Sequence, residues 1–224
     1  MKAYRIFAGA LLLSFQFCSA QFLPSRSCPR PENAISGPAA TDKIVRDLRS
    51  QSFPELARLD LRTGTFRSQS DYFRTRFSLT RFFFPLRMRY FVEVNPALFI
   101  QQAPADGVCS ILAHELVHVV ALSHGNRIRR FGLARLLSKS YTAQFERKTD
   151  LEAIHRGYGA GLKSYRTWVY THIPAAKVTE KQRIYFSPEE IEEVQKRLQE
   201  NPSLLASWQK HAPASLPELL KDAK

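Results

Sequence analysis

Two histidines and a glutamate stand in the middle of an otherwise apolar stretch, residues 108–122, and this placement constrains the rest of the chain more than any other feature. Asp106 can cap a helix over residues 107–123, with Gly125 near its end. Ile111, Leu112, Val117, Val119 and Val120 mark that helix for burial, where ionisable groups need partners. Within it, His114, Glu115, Leu116, Val117 and His118 follow one another, and helical spacing puts both imidazoles on one face. Two neutral imidazoles so placed grip one zinc ion. Glu115 can reach water at the same metal, serving as base and then as proton donor.

A catalytic zinc needs a third protein ligand and an open position. Residues 145–150 supply candidates, because Glu146 and Asp150 share a helical face. The assignment is Glu146 as ligand and Asp150 as acceptor from the outer N–H of a ligating histidine. Asp150 or Glu152 as ligand are the competing choices. Hydrolysis also needs a donor for the oxyanion; His155, Tyr158, Tyr165 and Arg147 are candidates, and Tyr158 is preferred because neighbouring glycines let the chain turn back. His124 is expected to end its helix beside backbone carbonyls, and His172 and His211 to lie at the surface. Tyr165 and Trp168, with Val169, read as a packed helix face rather than, with Tyr170, a sugar-stacking platform.

The two motifs together resemble gluzincin-like zinc metallopeptidases, in which HExxH on one helix is completed by a glutamate on a second. The spacing from Glu146 to Asp150 is similar to that in the soluble catalytic core of the group containing the CAAX prenyl proteases and the heat-shock membrane proteases. The resemblance covers residues 114–150. It implies a zincin-like fold, peptide hydrolysis, zinc ligation by the glutamate and a histidine-orienting aspartate. It also implies a strand beside the active-site helix that binds extended substrate, a place residues 91–95 would fill. The chain departs from the group at Val117, where a small residue is usual, and in a short basic segment before Glu146 without membrane spans.

Residues 1–20 read as an export signal: Lys2 and Arg5, an apolar run over 6–17, and a small-residue exit at Ser19 and Ala20. The run is too short for a membrane span, so the expected product is exported, periplasmic or secreted, without a mature transmembrane segment. Cys28 and Cys109 would then meet an oxidising compartment, where pairing and free burial are both open. Residues 21–40, with four prolines, read as an extended lead-in, and a helix capped by Thr41 follows over 42–51. Residues 61–70 suggest strand and turn around Gly64, and the aromatic run 72–94 suggests two strands broken near Pro85. Further helices are expected over 127–139, from Ser140 or Thr142 to Arg156, over 162–172 after an interruption at Gly157, Gly159 and Gly161, after the Ser187-Pro188-Glu189-Glu190 start signal, and from Asn201 to Trp208.

These elements make an α+β domain over residues 41–212, a small sheet packed against the HExxH helix with a helical C-terminal part and a peripheral tail over 213–224. The chemistry expected is a zinc-dependent endopeptidase-type hydrolase acting on protein or peptide. An exported zincin-fold binding protein without turnover is the alternative. The 33 Lys+Arg against 20 Asp+Glu suit an acidic substrate, an anionic envelope polymer or a membrane surface. They would also suit nucleic acid, but no zinc-finger spacing, phosphate loop or RNA-binding signature accompanies them.

Overall fold

The computed structural model of the 224-residue chain describes residues 38–83, 87–124 and 138–221. The expected export signal, Cys28, Pro85 and most of the helix expected over 127–139 lie outside them. The described part is a mixed, mostly helical α+β fold with one small sheet.

Helix α1 (Pro38–Ser52) buries Ile44, Val45 and Leu48 and is followed by a 3₁₀ turn, Pro54–Leu56, with Pro54 in its first turn. The helix begins earlier than Thr41, which is a fully buried interior residue rather than a cap. Strands β1 (Asp60–Thr65), β2 (Phe73–Phe77) and β3 (Arg89–Val94) form a sheet in the order β1-β3-β2, with β1 parallel and β2 antiparallel to β3. Gly64 lies inside β1 opposite Glu93 and makes no turn. A short helix, α2 (Leu79–Phe83), separates β2 from β3. Alternation places Leu61, Thr63, Phe73, Thr75, Phe77, Tyr90, Val92 and Val94 on one sheet face and the arginines on the other.

After α3 (Ala97–Ile100), helix α4 (Ala105–His124) lies against the inner face of the sheet, with every residue from Gly107 to Val119 buried. Its length and composition would suffice to cross a membrane, but sheet and helices cover it here. Asp106 sits in its first turn, where a carboxylate favours the helix dipole, and does not cap it. Helix α5 (Lys139–Ala153) packs beside α4 and runs into a π turn, Ile154–Tyr158, that bends at Gly157 with φ 94°. That left-handed backbone suits glycine. Helix α6 (Gly159–His172) then packs closely on α4. Gly159 and Gly161 continue this helix instead of interrupting it: a Cβ on Gly161 would fall 2.2 Å from Ser110 Oγ and 2.5 Å from the Asp106 carbonyl oxygen.

Helix α7 (Ala175–Ile184) has no counterpart in the sequence reading. Helix α8 (Pro188–Glu200) opens with the expected capping box between Ser187 and Glu190 and buries Ile191, Val194 and Leu198. Two short helices, α9 (Leu204–Lys210) and α10 (Leu216–Lys221), close the chain. The described part of the tail, 213–221, is packed rather than peripheral, since Leu219 is fully buried and α10 lies on α8.

Candidate metal centre

Helices α4 and α5 bring three ligand atoms together. One nitrogen each from His114 and His118 and one carboxylate oxygen of Glu146 lie within 4.8 Å of one another. Glu146 Oε2 is 3.3 Å from His114 Nε2 and 3.1 Å from His118 Nε2. That oxygen is buried and makes no hydrogen bond, so three lone-pair-bearing atoms converge where a cation would satisfy them. The donor set, two imidazoles and one carboxylate, suits zinc.

Asp150 and Glu152 do not join this cluster. Asp150 is fully buried, and its Oδ1 lies 2.8 Å from His114 Nδ1, the partner expected of it. It also accepts from Arg166 Nη2 at 3.1 Å and from the Phe186 N–H at 3.1 Å. Glu152 pairs with Arg156 instead. His118 Nδ1 lies 3.4 Å from the Thr149 hydroxyl, which donates to the Phe145 carbonyl, and the Phe145 ring stacks on His118.

Burial by itself lowers the His114 pKa, but the Asp150 and Glu146 carboxylates outweigh it and raise the imidazole to about 9. For Glu146, burial pushes upward and the two histidines overcome it, holding the carboxyl well below its usual range. Asp150 is likewise lowered, because Arg166 and His114 outweigh its burial. A metal held here competes with the proton on His114.

Glu115 projects beside the cluster, where its Oε2 accepts a 2.7 Å hydrogen bond from the Thr75 hydroxyl on β2. A cleft of about 690 Å³ opens over this point, lined by Glu115, His118, Glu146, Phe73, Phe145 and Tyr185 among others. Its wall is β2, the outermost strand on that side of the sheet. Residues 91–95, expected to bind substrate by strand addition, belong instead to or follow the central strand β3, which is paired on both sides.

Tyr158 is not in this site: it is buried in the core, and its hydroxyl lies 2.5 Å from Ser52 Oγ on α1. Arg147 is equally remote in role, buried and bonded to Glu190 and to the Gln182 and Pro213 carbonyls. His155 does not line the cleft. Tyr165 is buried behind His114 and Glu115, and burial raises its phenol. His124 Nδ1 contacts the Val120 carbonyl at 2.8 Å at its helix end, as expected. Trp168 packs between Tyr72 and His172.

The sequence reading missed Tyr185. Its ring lies beside His114, with centroids 6.1 Å apart, and is stacked under the Arg166 guanidinium at 4.2 Å. Burial and the Glu146 charge raise its phenol well above its ordinary value, so it keeps its proton. Nothing at residues 181–187 announces this role, which comes from the Phe186 N–H docking on Asp150 next door. Arg166 was also unforeseen, since its partner lies sixteen residues away on another helix. No protein-family profile, curated protein or solved structure matches the chain.

Proposed function

We propose that the protein is an exported zinc-dependent peptidase of zincin-like architecture. The observation that carries this reading is the buried convergence of His114, His118 and Glu146, the last two of which line a cleft that also holds Glu115. A zinc ion held by those three residues would supply Lewis acidity, polarising a carbonyl and acidifying water.

The chain's own groups account for the rest. Glu115 is no ligand; held by Thr75, it takes the proton of the attacking water and passes it to the departing amine. Asp150 Oδ1, 2.8 Å from His114 Nδ1, is placed to favour the His114 proton there and leave Nε2 free to ligate. Tyr185 replaces Tyr158 as the oxyanion donor, because its protonated phenol faces the same cleft as Glu115. An extended polypeptide fits the edge of β2 that no described strand pairs, whose backbone can add one more strand. The disulfide at Cys109 suits an oxidising compartment.

Metal content separates this reading from a site closed by hydrogen bonds alone. Elemental mass spectrometry should find about one zinc per chain, lost in His118→Ala and Glu146→Ala. Glu115→Gln should retain the zinc and lose turnover of unfolded protein substrates by about 10²-fold or more. Wild type without zinc after supplementation would refute the proposal. Full turnover by Glu115→Gln would refute the mechanism, and no turnover by zinc-loaded wild type would favour a binding protein.

A further inference from the structure

Helix α2 is anchored so that two large apolar side chains face outward. Phe82 is buried against Phe77, with ring centroids 5.5 Å apart, and this contact fixes the helix at the end of β2. Leu79 and Phe83, four residues apart on one face, are left 63% and 69% exposed. The outer face of the sheet beside them is basic. Arg62, Arg81 and Arg89 all approach the single carboxylate of Asp60, and Arg74 and Arg76 share Glu93. Arg87 is exposed too, and its carbonyl accepts from Arg81, which ties it to the same surface.

We propose that this surface docks the protein on an anionic lipid bilayer, with Leu79 and Phe83 entering the interfacial layer and the arginines facing lipid phosphates. Local carboxylates leave the guanidiniums in excess, and apolar side chains at the rim of a basic face are what a membrane interface rewards. A soluble polyanion would engage the arginines but would give Leu79 and Phe83 nothing apolar to bury in. Leu79 also lines the cleft, so docking brings the cleft mouth to the lipid surface. None of these residues belongs to the metal cluster, and the proposal stands without the peptidase reading.

Vesicle sedimentation tests it, with purified wild type and variants sharing one N-terminus. Wild type should sediment with equimolar phosphatidylglycerol and phosphatidylcholine, much less with phosphatidylcholine alone, and less as salt rises. The Leu79→Ser/Phe83→Ser variant should bind anionic vesicles about tenfold more weakly or worse, with an unchanged circular-dichroism spectrum. Arg62→Glu/Arg87→Glu, which leaves the apolar pair intact, should lose the preference for anionic vesicles. Absence of wild-type binding, binding indifferent to lipid charge, or an apolar variant that binds like wild type would each overturn the proposal. So would equal loss of vesicle and single-stranded DNA binding in the arginine variant with no effect of the apolar one, an outcome that marks a soluble-polyanion site.

Discussion

Tyr158 and Ser52 share a buried hydrogen bond between α1 and the π turn, whereas Tyr185 faces the cleft over His114. Tyr158→Phe should therefore cost about 1 kcal/mol of stability, read by urea unfolding, and leave kcat unchanged. Tyr185→Phe should keep zinc and fold while lowering kcat about 10²-fold, as removal of an oxyanion donor does. A reversed pattern would restore the sequence-based assignment. His114, Glu115 and His118 were legible because helical spacing alone puts the two imidazoles together. Tyr185 was not, because its place depends on Asp150 receiving the Phe186 N–H and on Arg166 stacking over the ring.

The cluster of His114, His118 and Glu146 adjoins the close crossing of α4 and α6. Ser110 and Asp106 on α4 occupy the space a side chain at Gly161 would need, and Arg166 on the same α6 reaches Asp150 from there. Gly161→Ala must push the helices apart, and it should cost about 1–3 kcal/mol with a measurable loss of zinc affinity. Elemental analysis and thermal unfolding of the one variant read both effects, and unchanged values would show that the crossing relaxes freely. The glycines at 157, 159 and 161 look alike in sequence, yet only Gly157 has a backbone that suits glycine by its φ, and Gly161 is needed for space. The capping box at Ser187 was readable because its hydrogen bonds are local. Helix α7 was not, because none of its residues is fully buried and it has no apolar stripe to announce it.

At the scale of the molecule, part of the basic surplus gathers on the outer face of the sheet, where Glu93 takes two of the arginines. Burial raises its pKa, but Arg76 and Arg74 outweigh that and hold it below its ordinary 4.5. A depressed carboxyl stabilises the fold above its unfolded pKa and loses that contribution as pH falls through the folded value. Glu93→Gln should therefore be less stable than wild type by up to about 1 kcal/mol near pH 7, the scale of partly exposed pairs. The gap should narrow as pH falls below the ordinary carboxylate range and through the depressed folded value. Urea unfolding across acid pH checks it, and a constant gap would place the effect in packing instead.

By itself the sequence determined what local chemistry can encode: the HExxH helix, the acidic residues on α5, the α+β class, the capping box and the alternation of the strands. Periods of 3.6 and 2 are written in neighbouring residues, so they survive without knowledge of the fold. Only the tertiary structure decided that Glu146 rather than Asp150 or Glu152 closes the cluster, that β3 is central and β2 outermost, that Tyr185 faces the cleft, and that Arg147 is a core residue. Each of those depends on which elements come to lie side by side, and that is set by the burial of surfaces far apart in the chain.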